Sequence, residues 1–362
     1  MGRLITINYN NKPLYNISIE HDFNKLPAVL EGVGSKERKL CIVTDSSVGA
    51  IYLDTVMDIA RGCAKDVISF IFEAGEKSKN LGTIEDLYEK LIIAHFDRND
   101  ILVALGGGVT GDMAGYAAAT YLRGIRVVQI PSSLVAMVDS SIGGKTGVDF
   151  KGYKNMVGAF HQPSAVYMNV SMLSTLTDAQ YYSGFGEVAK HGFIRDDAYS
   201  SYIAKNLEGI RQRSPLILEE IVAGSCNIKR AVVENDPEEK GERAILNFGH
   251  TLGHAIEKLM DFTMLHGECV SAGMAAAAYI SMKRGMINEN VYNSICRTLK
   301  DLNLPVCVNG LNAEDILRVS KSDKKMDAGK IKFILLNGTG NAVICNDVTD
   351  SEMLEALDTI LK

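Results

Sequence analysis

A chain of 362 residues, 46% hydrophobic and 23% charged, has the composition of a globular protein with a large core, and its length suits two domains. Its net charge of −6 argues against a nucleic-acid binder, so an anionic ligand has to be met by a local cluster of Lys and Arg. The seven cysteines are scattered without a C-x-x-C pair, which argues against a disulfide scaffold or a Cys-rich zinc site and fits a reducing cytosol.

The start, MGRLITINYNNKPLY, alternates like a strand and lacks the apolar core of a signal peptide. No run of about 18 apolar residues is present, so no membrane span is expected. Residues 3–9 and 14–20 alternate around N-N-K-P and predict a hairpin. KLCIVT (39–44) predicts a strand, followed by a helix to residue 62 and a second strand at VISFIF (67–72). Leu81, Ile84, Leu87, Leu91 and Ile92 have helical spacing. ILVAL (101–105) is a buried-strand run stopped by three glycines; a helix follows, then a strand at RVVQIP (126–131). Strands separated by helices imply a parallel sheet with helices on its faces.

After residue 176 strand runs vanish until KIKFILL (330–336). Helical patterns cover 178–192, 196–211, 215–235, 242–260, 267–284, 288–301 and 312–321, and KSDKK (321–325) reads as a loop. The expected layout is an α/β Rossmann-like domain over 1–176 and a mostly helical domain over 177–362.

In ALGGGVTGDMAG, Gly106, Gly108 and Gly111 satisfy G-x-G-x-x-G between a strand and a helix. Such glycines let backbone N–H groups reach a pyrophosphate at a helix N-terminus, although a tight strand-to-helix turn uses the same residues. The motif sits in the third βα unit, and RVVQIP, about twenty residues on, lacks the ribose-binding acid that the dinucleotide fingerprint places there. Asp45 ends an earlier strand and can reach the same sheet edge; Glu76 and Lys79, in AGEKSK, can join it or remain surface charges. PSSLVAMVDSSIGGKTGVDFKGYKN (131–155) reads as a long loop carrying Asp139, Lys145, Lys154 and Asn155. Lysines among glycines suit phosphate, and a solvated loop is the plain alternative.

NFGHTLGH places His250 and His254 on one helical face. The zincin pattern H-E-x-x-H is broken, because Thr251 stands where the Glu belongs. His266, in MLHGE, and Glu187, in GFGEVAKHG, are further donors of the kind zinc uses. Spacing alone leaves open which of the two helical histidines is a ligand.

GGGVTGDMAG, PSSLVAMVDSSIGGKTGVD, KNMVGAFHQP, GEVAKHG, RAILNFGHTLGHAIE and LHGECVSAGM occur in that order, and together they resemble the 3-dehydroquinate synthase family of sugar phosphate cyclases, from about residue 39 to about 336. The resemblance implies an NAD-binding α/β domain, a helical metal-binding domain and a cytoplasmic homodimer. It implies conversion of 3-deoxy-arabino-heptulosonate 7-phosphate to 3-dehydroquinate and phosphate, the second step of the shikimate pathway. The steps are transient oxidation by NAD, phosphate elimination, re-reduction, ring opening and aldol closure. The implied ligands for zinc or cobalt are Glu187, His250 and His266, and His254 becomes a substrate residue. Implied substrate contacts are Asp139, Lys145, Asn155, Lys190, Lys229, Arg243, Asn247, His254 and a lysine of DKK, taken as Lys325 over Lys324 and Lys330. Lys145, Lys190, Asn247 and His254 carry the catalytic role. The cofactor set is Asp45, Glu76, Lys79, Gly106, Gly107, Gly108, Asp112, Ser132, Ser133, Lys145, Lys154 and Thr175.

The sequence departs from the family at Ser132-Ser133, where P-T-T is common and the hydroxyls survive. It departs again at LTDAQ (176–180) in place of L-P-x-R-E, and near Asn169, where an Asp is usual. A pseudo-enzyme or purely binding module is opposed by the retention of all three ligands and the lysine set, and two further rival readings remain. One is a cyclase forming a valiolone or inosose skeleton; the other is a metal-dependent polyol dehydrogenase, which would not need so many lysines around one site.

Overall fold

The computed structural model describes residues 2–261, 263–322 and 332–362. Its contacts divide the chain into two compact units, Met1–Thr175 with Leu218–Arg230, and Leu176–Ile217 with Ala231–Lys362.

The strands of the first unit are β1 (Arg3–Tyr9), β2 (Lys12–Glu20), β3 (Lys39–Asp45), β4 (Asp66–Phe72), β5 (Ile101–Gly106), β6 (Arg126–Pro131), β7 (Lys145–Phe150), β8 (Tyr153–Phe160) and β9 (Ala165–Asn169). Seven form one sheet in the order β1-β2-β9-β6-β5-β3-β4. β1 and β2 pair antiparallel as the hairpin expected from their alternation, and every other neighbour pair is parallel. β5 is buried along its whole length, which is why it reads as an unbroken apolar run rather than an alternation. On one face, Ile84, Leu87 and Leu91 of the helix Leu81–Ile93 and Met113, Ala114, Ala117 and Ala118 of the helix Gly108–Thr120 cover Cys41, Val43, Leu102 and Ala104. Each fully buried leucine in such a layer contributes roughly 1.5–3 kcal/mol.

The strand order explains the displaced glycine motif. The chain runs outward from β3 to β4 on one side and from β5 to β6 on the other, so the order reverses between β3 and β5. Ligands of open parallel sheets bind at the carboxyl ends of the strands flanking such a switch. Asp45 and Gly106, distant in sequence, end these two adjacent strands.

Residues 131–155 are not one loop. They contain a π-helical turn at Ala136–Ser140 and then β7, which pairs antiparallel with β8. Gly115 lets the helix Gly108–Thr120 meet this hairpin closely, because a methyl group there would stand 2.4 Å from the Thr146 side chain. β9 was also absent from the sequence reading.

In the second unit, the helices Asp178–Arg195, His250–Leu259, His266–Lys283, Glu289–Asp301 and Ala313–Ser322 follow the expected patterns. Two expectations are corrected. The pattern over 196–211 divides into Asp197–Lys205 and Leu207–Arg211. The pattern over 242–260 divides into a 3-10 turn, Glu242–Asn247, and the helix from His250, because Gly249 adopts φ +78° and stops the first segment. β10 (Phe333–Leu336) pairs with β11 (Ala342–Cys345), and Asp350–Ile360 is helical; neither β11 nor this helix was anticipated. Residues 323–325 and 330–331, with Lys324, Lys325 and Lys330, lie outside the described residues.

Helices of this unit meet backbone to backbone. A methyl group on Gly186 would lie 2.6 Å from the Gly267 carbonyl oxygen, and one on Gly267 would lie 1.7 Å from that of Ser183. One on Gly273 would lie 2.0 Å from the carbonyl oxygen of Gly249, and one on Gly253 would lie 3.0 Å from that of Cys269. The helices Asp178–Arg195 and His250–Leu259 therefore both press against His266–Lys283.

Candidate functional site

The first unit gathers most of the expected cofactor residues at the ends of β3, β5 and β6. Asp45 caps the helix Ser46–Arg61: its Oδ1 accepts from the N–H groups of Ser47 and Val48, each at 2.9 Å. Its Oδ2 accepts from Thr110 Oγ1 at 3.4 Å, which ties it to the glycine helix. Gly107 is the N-cap of the helix Gly108–Thr120, whose first N–H groups have no intrahelical partner and suit an anion. Ser132 donates its N–H to Gly106 at 2.9 Å, and Ser133 Oγ would lie 3.5 Å from a methyl group on Gly107. Thr175 Oγ1 and Tyr52 OH are 2.8 Å apart.

Lys79 is buried, and its Nζ donates to Asp112 Oδ2 at 2.7 Å and to Asn155 Oδ1 at 2.6 Å. Burial alone would lower its pKa, but Asp112 and Glu76 outweigh it and hold Lys79 above its ordinary value. Lys154 faces Glu76 at 3.5 Å. Asp139 binds Lys229, whose Nζ donates to the Asp139 carboxylate at 2.6 Å and to its backbone carbonyl at 2.5 Å. Lys145 opens β7 with an exposed side chain.

In the second unit, Glu187 is fully buried on the helix Asp178–Arg195. Its Oε2 accepts from Lys190 Nζ one turn later. Its Oε1 has no hydrogen-bond partner, yet it lies 3.4 Å from His250 Nε2 and 3.5 Å from His266 Nε2. An orphaned buried carboxylate oxygen facing two imidazole nitrogens fits a divalent cation. The other ring nitrogens are held from behind: His250 Nδ1 donates to the Phe248 carbonyl at 3.1 Å, and His266 Nδ1 lies 3.5 Å from Glu257 Oε2. Such outer contacts orient an imidazole so that Nε2 is presented to a metal. His254 belongs to the same cluster, since one ring nitrogen from each of His250, His254 and His266 lies within 4.8 Å of the others. It differs from His250 in being exposed.

Burial would raise the Glu187 carboxyl, but Lys190, His250 and His266 overcome it and hold Glu187 well below the usual carboxylate range. Burial, reinforced by Lys190, holds His250 well below its ordinary value, so it is a neutral donor. Burial opposes protonation of His266 as well, but Glu187 and Glu257 prevail and push it up to about 9. Because a ligating imidazole must be unprotonated, the cation has to displace that proton. Metal affinity should therefore fall about tenfold per pH unit below pH 9 and level off above it. Titration with a competing chromophoric chelator from pH 6.5 to 9.5 measures this, and a flat profile would remove His266 from the ligand set.

Arg243 is buried; its backbone N–H donates to Asp236 Oδ2 at 3.0 Å and its Nη1 to the Pro237 carbonyl at 2.7 Å. Asn247 Nδ2 donates to Glu239 Oε1 at 3.3 Å. Lys325 lies outside the described residues. Sequence reasoning missed Glu257 and Asp236. The first had a signal: with His250 and His254 it continues one helical face at spacings of four and three.

A family profile described as "3-dehydroquinate synthase N-terminal" matches residues 69–183, and one described as "3-dehydroquinate synthase C-terminal" matches 184–326. The chain is 40% identical to the 3-dehydroquinate synthase of Acetivibrio thermocellus over 94% of each chain. A 2-deoxy-scyllo-inosose synthase, solved with carbaglucose-6-phosphate, NAD+ and Co2+, superposes with TM-score 0.89 at 25% identity, covering 99% of this chain and 100% of that one. The 2-epi-5-epi-valiolone synthase ValA of Streptomyces hygroscopicus, solved with NAD+ and Zn2+, also gives TM-score 0.89 at 25% identity, covering 99% of this chain and 98% of that one.

Proposed function

The chain belongs to the 3-dehydroquinate synthase family, and from that membership we propose that it converts 3-deoxy-arabino-heptulosonate 7-phosphate to 3-dehydroquinate and phosphate. It works as a phosphate-eliminating lyase with NAD and one zinc or cobalt ion, as a cytoplasmic homodimer at the second step of the shikimate pathway. The observation that carries the metal-dependent reading is the buried Glu187 Oε1, unpartnered and facing His250 Nε2 and His266 Nε2.

Glu187, His250 and His266 hold the ion and leave positions open for substrate. Asp45, Glu76, Lys79, Gly106, Gly107, Gly108, Asp112, Ser132, Ser133, Lys145, Lys154 and Thr175 hold the dinucleotide. When bound, NAD supplies reversible oxidation of a ring hydroxyl and the ion supplies Lewis acidity toward the oxygens of that centre. The protein's own residues do the rest. Lys145, Lys190 and Lys229 neutralise a doubly anionic sugar on a chain whose overall charge is negative. Arg243, fixed by Asp236 and the Pro237 carbonyl, presents its fork to the planar carboxylate. Asp139 holds the Lys229 ammonium in place, Asn155 and Asn247 orient hydroxyls, and His254 moves a proton through its exposed imidazole.

Identity of 40% to a dehydroquinate synthase against 25% to the inosose and valiolone enzymes favours the dehydroquinate reaction over its cyclase rivals. The buried Arg243, suited to a carboxylate, favours it too. The purified protein should release phosphate from the heptulosonate phosphate without net NADH, lose activity to a chelator and regain it with zinc or cobalt. Steady NADH formation from a simple polyol would support the dehydrogenase reading instead.

A further inference from the structure

The hairpin of β7 and β8 changes register beside its turn. Val148 pairs with Val157 and Phe150 with Tyr153, which leaves Asp149 alone opposite Lys154, Asn155 and Met156. A bulge of this kind bends the strand and re-aims its side chains. Here it turns Lys154 toward Glu76, 3.5 Å away, and Asn155 toward Lys79, whose Nζ donates to Asn155 Oδ1 at 2.6 Å. Asn155 itself is left-handed, at φ +54°, a region that asparagine tolerates better than most residues but does not prefer.

Asp149 supplies what holds this arrangement. Its Oδ1 accepts from the Asn155 N–H at 2.8 Å, and its own N–H donates to the Lys79 carbonyl at 2.8 Å. Lys79, Asp149 and Asn155 thus close a ring of hydrogen bonds, with Asp112 attached at Lys79. With Oδ1 engaged by Lys79, Asn155 offers its Nδ2 donors to a ligand oxygen. We propose that Asp149 is a positioning residue: its carboxylate caps the bulge, fixes Asn155 in the left-handed conformation and so sets the amide that meets the sugar phosphate beside the Lys79 ammonium. This rests on the function proposed above, in which Asn155 is a substrate contact and Lys79 a cofactor contact.

The test is a set of four variants: Asp149→Ala, Asp149→Asn, Asn155→Ala and the double alanine. Asp149→Ala should raise KM for the sugar phosphate about tenfold and change kcat less than about threefold. Asp149→Asn keeps an oxygen acceptor for the Asn155 N–H and should return KM to within about twofold of wild type. In the Asn155→Ala background, Asp149→Ala should add less than about twofold, since both act through one amide. Wild-type KM in Asp149→Ala, an Asn variant as defective as the Ala variant, additive effects in the double variant, or an Asp149→Ala chain that does not fold would each overturn the proposal. NAD affinity by equilibrium dialysis separates this from the functional reading. Should the wild type release no phosphate, that reading fails, and Asp149 is judged by NAD alone. Severalfold weaker binding in Asp149→Ala, recovered in Asp149→Asn, would uphold the ring, and unchanged affinity would overturn it.

Discussion

Replacing His250 with alanine should empty the metal site, whereas replacing His254 should leave the metal and remove turnover. The two residues stand one helical turn apart with ring centroids 5.1 Å apart, so the contrast follows from their surroundings and not from distance. His250 is buried, neutral and braced by the Phe248 carbonyl, and its Nε2 points to the orphaned Glu187 oxygen. Its loss leaves that carboxylate with only His266 as a second donor from the proposed set. Bound zinc, measured by atomic emission, should drop from about one to under about 0.1 per chain, because a missing ligand forfeits much of the binding free energy. His254 is exposed on the same helix. Its removal should lower phosphate release by roughly 10²–10⁴-fold, the usual loss for a positioned acid–base group, with the zinc content unchanged. Equal zinc loss in both variants would show that this assignment of the pair is wrong.

Gly273→Ala should damage the protein more than its size suggests. The added methyl group would stand 2.0 Å from the Gly249 carbonyl oxygen, and the obstacle is backbone, which cannot rotate aside. Overpacking commonly costs 1–3 kcal/mol and more against a rigid partner, so about 3 kcal/mol or more is expected. The displaced helix begins at His250, so metal content should fall along with the unfolding temperature. Gly32→Ala is the control, since a methyl group there meets nothing within 4 Å. Equal unfolding temperatures for Gly273→Ala and wild type would refute the close-contact account.

β3, β5 and β6 were legible because they are buried on both faces and read as apolar runs, and β1 and β2 because their residues alternate. β7 and β8 were not. KTGVDF and YKNMVGAF are rich in polar residues and glycine, and β8 is mostly exposed, so no alternation marks them. The cofactor residues could be named but not grouped by spacing, because the approach of Asp45 to the glycine motif depends on strand order, which periodicity does not carry. The pairing of His250 and His254 on one face was readable from their separation of four. What makes them differ was not: the Phe248 carbonyl braces His250, and Glu187, on another helix, faces it only once the helices have packed. In each stretch the donor stands beside a glycine: Gly186-Glu187, Gly249-His250, Gly253-His254 and His266-Gly267. Those glycines permit the backbone approach that brings the donors together.

The first compact unit is not one continuous piece of chain, and this bears on how the protein is made. Leu218–Arg230 returns to it, bringing Glu219 to Arg3 and His21 and bringing Lys229 to Asp139. During vectorial synthesis the nascent N-terminal sheet emerges while those partners are still untranslated. At about 5–20 residues per second, Arg3, His21 and Asp139 wait several seconds or more for the helix that completes their surroundings, so this unit cannot mature before the ribosome has already begun the next one.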